Sequence, residues 1–154
     1  MARGAGARGL TSLGLLLAAA AACSPGPRPL AYGTDTCAHC HMTLADPRFA
    51  GELVTRTGRV IPFDDVGCLA TFVATGGIAT EEIHSLWVND FAHPDSMVEA
   101  PRAIFLSSDA IRTPMDYRVA AFRASPDAEG ARTRLGGELI TWDEVLRRRG
   151  RPAP

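Results

Sequence analysis

The chain has no lysine, so all 16 of its basic residues are arginines, and they face 17 acidic residues. This near balance of charge gives no basic footprint for nucleic acid. No apolar stretch reaches the roughly 18 residues that a membrane-spanning helix needs, which excludes a polytopic membrane protein. The sequence also has no nucleophile elbow, phosphate-binding loop or HExxH motif, so we expect no enzyme activity.

The 154 residues are 46% hydrophobic and 21% charged, which is typical of one compact domain or two small ones. The four cysteines, four methionines and four histidines are the unusual part, because most of them lie in a few short segments. Those segments are the candidates for a functional site.

The N-terminus has the pattern of an export signal. Arg3 and Arg8 form a positively charged start, and residues 10–22 are a continuous stretch of small and apolar side chains. Cys23 follows directly, as in the lipobox of bacterial lipoproteins, where the cysteine is acylated and becomes the first mature residue. We therefore expect a signal peptide over residues 1–22 and a lipid anchor on Cys23.

The anchor would place the mature protein on the periplasmic side of the cell envelope, and Ser24 slightly favours the outer membrane. Residues 23–34 contain a run rich in proline and glycine, which suits neither helix nor strand. We expect this segment to be a flexible tether. Without Arg3 and Arg8, 14 arginines face 17 acids, a net charge of −3, so attraction to anionic lipid is not what anchors the protein.

The remainder of the chain shows an internal repeat of the order strand, strand, helix, strand. The pattern Arg59-Val60-x-x-Phe63 recurs as Arg118-Val119-x-x-Phe122. Hairpin and helix signals place the elements within each half. The predicted strands are 49–54, 60–63, 85–88, 103–106, 117–122 and 138–140, and the predicted helices start after Asp64 or Asp65 and at 125–135 and 142–149.

These patterns predict an α+β fold made of two small β-β-α-β units with mainly antiparallel sheet. The first unit covers residues 35–100, and the second, with a closing helix, covers 101–150. A unit of about sixty residues is near the lower limit for burying an adequate core, so we expect the two units to pack together. Residues 78–96 and 109–115 are the least regular stretches.

One segment concentrates chemistry, because residues 35–42 read Asp-Thr-Cys-Ala-His-Cys-His-Met. The soft sulfur donors of Cys37, Cys40 and Met42 favour monovalent copper. Three other hypotheses fit the same residues. Cys37-x-x-Cys40-His41 satisfies the c-type haem motif and makes a monohaem electron carrier one alternative. A Cys-x-x-Cys pair also serves thiol–disulfide oxidoreductases, and it can form a structural disulfide or a zinc knuckle.

Features further along the chain discriminate between these hypotheses. The strand-rich pattern disfavours haem, and the early Pro47 with no βαβ pattern disfavours a thioredoxin-like enzyme. A structural zinc site requires a second pair of ligands close together in the chain. The remaining candidates, Cys68, His84 and His93, are instead far apart in the sequence. Copper(I) needs only two to four soft donors, and Met115 in a polar, proline-marked loop is a candidate for one more.

Other reactive side chains are expected to be structural. Asp64 and Asp65 suit helix caps better than an acid/base pair. Cys68 in the first turn of that helix is expected to be a small core residue before it is a ligand. His84 and His93 are expected to face solvent from loops.

Six motifs occur in an order that resembles the NosL proteins, which are membrane-anchored copper-binding lipoproteins that accompany nitrous oxide reductase. The resemblance implies paired β-β-α-β units that bind one Cu(I). It also implies delivery of that copper to nitrous oxide reductase with help from a membrane transporter. The motifs are the lipobox, Cys37-x-x-Cys40-x-Met42, Phe-Asp-Asp-Val-Gly-Cys-Leu at 63–69, Trp-Val-Asn-Asp-Phe at 87–91, Thr-Pro-Met at 113–115 and Gly-Gly-Glu-Leu-Ile-Thr-Trp-Asp-Glu-Val at 136–145.

The same resemblance assigns a ligand set. Cys40, Met42 and Met115 are the implied copper ligands, with Cys37 as a further thiol. Where the family often has Cys-Gly-Met, this chain has Cys40-His41-Met42. The imidazole changes the demands on the local backbone and makes His41 a candidate for an extra ligand.

Overall fold

The computed structural model describes residues 25–150, so the predicted signal peptide and Cys23 lie outside the described residues. Among residues 25–150, none of the helices has the length and apolar character of a membrane-spanning segment. The strands are β1 (Gly51–Thr55), β2 (Val60–Phe63), β3 (Ile83–Asp90), β4 (His93–Glu99), β5 (Ile104–Ser107), β6 (Val119–Phe122) and β7 (Glu138–Ile140), and the α-helices are α1 (Val66–Ala74), α2 (Ser125–Leu135) and α3 (Trp142–Arg149).

The strands form two antiparallel sheets, ordered β2-β1-β3-β4 and β6-β5-β7. In each sheet the first strand of the unit lies between its hairpin partner and the strand that follows the helix. The predicted α+β fold of paired β-β-α-β units is therefore confirmed.

The first unit has one strand more than the sequence indicated, because β4 begins in the stretch 78–96 that was predicted to be irregular and continues to Glu99. A proline at the second position of β4 hid it, since Pro94 cannot donate to a ladder; the edge position of β4 tolerates this loss. His93 therefore begins an edge strand and His84 lies in β3, so both are strand residues and not loop residues. Both side chains are exposed, as expected.

A shared core joins the two units. Leu53 and Leu69 of the first unit lie in the same buried cluster as Phe105 and Trp142 of the second. A smaller cluster holds Phe49, Leu106 and Phe122. The backbone N–H of Phe91 donates to the carbonyl of Ala121 at 2.8 Å, which connects the two sheets directly. The two units together therefore bury more apolar surface than either unit could bury alone.

Residues 28–47 contact the face of the first sheet that carries Glu52 and Asn89. The backbone N–H of Arg28 donates to the Glu52 carboxylate at 2.9 Å. The Asn89 amide donates to the Tyr32 hydroxyl at 2.8 Å and to the carbonyl of Pro47 at 2.7 Å. These bonds hold the chain against the first sheet from Arg28 onward. They also place the Cys-x-x-Cys segment beside that sheet.

Candidate metal centre

The Cys37–Cys40 segment is a tight loop closed by an isolated antiparallel bridge between Thr36 and Thr43. The backbone N–H of Cys37 donates to the carbonyl of Met42 at 2.8 Å, and Ala38 donates to the carbonyl of Pro62 in β2 at 3.0 Å. The loop therefore lies against the sheet. Cys37 is fully buried there, Cys40 is half-buried and Met42 is exposed.

His41 occupies the position where the backbone of this loop turns back. Its φ is +61°, in the left-handed region that favours glycine. Its N–H donates to the carbonyl of Cys37 at 3.0 Å. The loop thus has a conformation at this position that glycine adopts without strain. A histidine in that conformation strains the backbone by about 1 kcal/mol.

Helix α1 brings a third thiol to the loop. Cys68 lies in its first turn, is fully buried, and donates its backbone N–H to the carbonyl of Asp65 at 2.9 Å. The sulfur atoms of Cys37, Cys40 and Cys68 all lie within 4.8 Å of one another. Cys68 is therefore a core residue, as expected, and its thiol also faces the other two.

Hydrogen bonds distribute charge unequally among the three sulfurs. The Cys68 thiol donates to the Cys37 sulfur, and backbone N–H groups of Cys40, Asp64 and His39 add to this, which lowers the pKa of Cys37 to about 4. The same contact raises the pKa of Cys68, because a neighbouring thiolate favours its neutral form. Burial raises the pKa of Cys40. The hydrogen bonds thus favour the thiolate form at Cys37 over the other two sulfurs.

Asp65 fixes the start of α1 and the loop that carries Met115. Its Oδ1 accepts the N–H of Gly67 at 2.7 Å and so caps the helix. Its Oδ2 accepts the backbone N–H of Met115 at 3.2 Å, and the Thr113 side chain also bonds to it. Burial raises the pKa of Asp65 in spite of these bonds. Met115 itself is half-buried against the core cluster that contains Cys37 and Cys68.

Asp64 has a different role from the predicted cap. Its Oδ1 accepts the backbone N–H of Ala45 at 2.8 Å and holds the segment after Met42 against the helix start. Burial raises the pKa of Asp64. The two adjacent carboxylates therefore fix the loops on either side of the thiols and have the structural role that the sequence favoured over acid/base chemistry.

Gly67 allows the second unit to approach the site. A Cβ at this position would lie 2.1 Å from the ring of Tyr117, far inside van der Waals contact. The guanidinium of Arg149 lies over the same ring, 4.5 Å from its centroid. Tyr117 is thus packed between α1 and α3, two residues after Met115, and the packing sets the position of the Met115 loop.

An open cleft of about 420 Å³ runs between the two loops at the surface. Met42 is 52% exposed at its edge. The cleft is lined by Met42, Thr43, Ala45, Asp46 and Asp64 on the side of the first unit and by Arg112, Thr113 and Pro114 on the side of the second. The thioether of Met42 therefore lies across the cleft from the residues that precede Met115.

The family model for NosL matches residues 31–149. The chain belongs to the NosL family. The resemblance seen in the sequence is thereby confirmed. The crystal structure of the copper chaperone NosL from Shewanella denitrificans is 23% identical to this chain. It covers 78% of this chain and 96% of its own, with a TM-score of 0.66, and shares the fold. No curated protein sequence matches the chain.

The structure brings together two of the ligands that the resemblance implied and places a third thiol beside them. Cys37 and Cys40 share a site with Cys68, which the sequence placed in the core. Met42 and Met115 lie on the two loops that border the cleft. Among residues 25–150, neither His39 nor His41 belongs to a group of three or more ligating atoms within 4.8 Å.

Proposed function

We propose that this NosL-family chain binds one Cu(I) outside the cytoplasm and delivers it for the maturation of nitrous oxide reductase. The observation that carries the proposal is the cluster of Cys37, Cys40 and Cys68 sulfurs within 4.8 Å. Three soft donors in a small volume suit a soft monovalent ion, and hard cations prefer oxygen. The proposed ligands are Cys37, Cys40, Met42 and Met115.

The proposed mechanism is ligand exchange without catalysis. A copper ion held near the surface can accept a donor from a partner before it loses one of its own, so no free ion is released. The exposed Met42 and the half-buried Cys40 supply that access. Tight binding is then compatible with rapid transfer to the acceptor protein.

We further propose that an acyl group on Cys23 anchors the protein to the periplasmic side of the envelope, with the outer membrane slightly favoured over the inner. The described chain contacts its own sheet from Arg28 onward, so the proposed tether from membrane to domain lies before Arg28. The partners are the reductase and a membrane transporter for copper assembly.

Thiol–disulfide exchange fits the cluster less well. An oxidoreductase needs an accessible thiolate as its nucleophile. Here the thiol with the lowered pKa, Cys37, is fully buried, and burial raises the pKa of the more accessible Cys40. The sulfur that is most readily ionised is therefore not the one that a substrate could reach. Turnover in an insulin-reduction assay would overturn this argument.

Metal analysis under reducing conditions tests the proposal. The full chain, loaded with Cu(I) without oxygen and then desalted, is expected to retain about one copper per chain. Cys40→Ser and Met115→Leu are expected to retain less. Met97→Leu is the matched control, because Met97 is half-buried in β4 outside the cluster. A wild type that loses its copper on desalting, or a protein coloured by covalent haem, would contradict the proposal.

Delivery is tested in cells. A strain that lacks this protein is expected to make nitrous oxide reductase with reduced copper content, and the intact chain is expected to restore it. The Cys40→Ser chain should fail to restore it, and the Met97→Leu chain should succeed. Equal copper in the reductase with and without the protein would remove the assignment of nitrous oxide reductase as the acceptor.

A further inference from the structure

The sulfur donors of this protein extend from the core to the surface. Cys37 and Cys68 are fully buried, and Cys40 is half-buried. Met42, two residues later, is 52% exposed and is the single exposed large hydrophobic side chain among residues 25–150. The exposure of Cys40 is thus intermediate between that of the two buried thiols and that of the exposed thioether.

We propose that Cu(I) has two adjacent positions in this protein, an inner one held by Cys37, Cys40 and Cys68 and an outer one held by Cys40, Met42 and Met115. The inference rests on the proposed copper-binding function. It adds Cys68 as a ligand and gives Cys40 the role of the ligand that both positions share. The inner position retains the ion, and the outer position hands it to the acceptor.

The geometry of the three thiols fits the inner position. With metal–thiolate bonds of about 2.3 Å, three sulfurs in a plane around one ion lie about 4 Å apart. The sulfurs of Cys37, Cys40 and Cys68 lie within 4.8 Å, so small rotations of the side chains close the triangle. The Asp65 cap fixes the start of α1, which carries Cys68. The Thr36–Thr43 bridge fixes the loop that carries Cys37 and Cys40.

The cleft supplies the outer position. Met42 lines one side of it, and Thr113 and Pro114 line the other. Met115 follows directly and packs against the cluster that holds the buried thiols. The cleft is open to solvent and has a volume of about 420 Å³, so a donor side chain from a partner protein can enter it. A partner can therefore reach the outer position through the cleft, whereas Cys37 and Cys68 of the inner position are fully buried.

The transfer between the positions is a ligand exchange with no change of oxidation state. The bonds from copper to Cys37 and Cys68 break, and bonds to the sulfurs of Met42 and Met115 form. The bond to Cys40 is kept. Cys37 remains a thiolate, and Cys68 takes one proton from water and donates it again to the Cys37 sulfur. Two neutral thioethers replace two thiolates, so the ion is held more weakly where the partner meets it.

Cys68→Ser and Met42→Leu separate the two positions. Affinity is measured by competition for Cu(I) with a coloured chelator such as bicinchoninate, and the rate of release to the same chelator is measured by stopped flow. We expect Cys68→Ser to weaken affinity by at least the roughly ten- to hundredfold that loss of an outer-shell partner costs, because it removes a ligand. Met42→Leu should weaken affinity less and slow release. Met97→Leu, in β4, should match the wild type in both measurements.

The proposal would be overturned if Cys68→Ser bound Cu(I) with wild-type affinity and Met42→Leu bound it much more weakly. Copper would then occupy the outer position alone. Circular dichroism checks folding, and Cys68→Ala replaces the serine variant if that one is unfolded. If neither folds, X-ray absorption of copper-loaded Met42→Leu decides: three thiolate sulfurs are expected, and two or fewer would overturn it. A wild type that binds no Cu(I) would instead remove the proposed function itself.

Discussion

The carboxylate of Asp65 accepts a hydrogen bond from the backbone N–H of Met115 at 3.2 Å, although 50 positions separate the two residues in the chain. The other oxygen of the same carboxylate caps the helix that carries Cys68. One side chain thus connects the two sulfur-bearing elements from opposite halves of the protein. Its burial makes both bonds strong and their loss costly.

Asp65→Ala is expected to destabilise the protein by about 2–4 kcal/mol. Loss of a helix cap costs about 1 kcal/mol, and the unpaired N–H of Met115 adds about 1–3 kcal/mol. Asp143→Ala is the matched control, because Asp143 is an exposed acid in the first turn of α3 and should cost below about 1 kcal/mol. Urea unfolding of the reduced, copper-free protein measures both. Equal losses in the two variants would contradict this role of Asp65.

Gly67→Ala should disrupt the site, because the added Cβ would lie 2.1 Å from the ring of Tyr117. Overpacking of this kind costs about 1–3 kcal/mol, and the ring can move only with the Met115 loop. We expect lower stability and weaker copper retention. At Gly130 in α2 the nearest atom to an added Cβ is the end of the Arg134 side chain, 3.4 Å away. Gly130→Ala should therefore be neutral or stabilising by up to about 1 kcal/mol. A stabilised Gly67→Ala would refute the close packing.

His41→Gly should stabilise the protein by about 0.5–1 kcal/mol, because φ at this position is +61° and glycine adopts it without strain. The control is His84→Gly in the strand β3, where glycine should cost about 1 kcal/mol. Thermal unfolding of the reduced proteins measures both changes. A destabilised His41→Gly would show that the imidazole makes contacts that outweigh the backbone strain.

Glu52 makes the stability depend on pH. Burial raises its pKa to about 7, and its Oε2 has no hydrogen-bond partner among the described residues. The folded state binds this proton more tightly than the unfolded chain does, so the stabilising contribution of Glu52 is full below the ordinary pKa of 4.5 and is lost as the pH rises through about 7.

Glu52→Gln, which mimics the protonated side chain, should therefore match the wild type near about pH 4 and exceed it by about 1–3 kcal/mol near about pH 8. Urea unfolding at the two pH values gives the difference. Glu129→Gln, exposed on α2, controls for the loss of one negative charge. A constant difference between Glu52→Gln and the wild type at both pH values would exclude this titration.

Local signals in the sequence were sufficient for most of the fold. The bounds of α2 and α3 match the prediction, because a proline in the first turn of α2 and Thr141 before α3 are local start signals. Strand β4 was missed because its Pro94 and Asp95 carry no strand propensity. Pairing with β3 stabilises it, and that pairing is a tertiary contact that local sequence does not encode.

The site was predictable only where its residues are neighbours in the chain. Cys37 and Cys40 are a motif that can be recognised by spacing alone. Cys68 lies 28 positions after Cys40, and its helical position fits a core residue as well as a ligand. Only the packing of α1 against the loop brings its sulfur within 4.8 Å of the others. The left-handed backbone at His41 was not predicted, because a residue other than glycine seldom adopts a positive φ.

X-ray absorption at the copper K-edge tests the central claim most directly. The full chain, loaded with one equivalent of Cu(I) under reducing conditions, is expected to show a cuprous edge and a first shell made of sulfur alone, as the Cys37, Cys40 and Cys68 cluster requires. A first shell dominated by nitrogen or oxygen would contradict the account, because the copper would then be bound somewhere other than at these sulfurs.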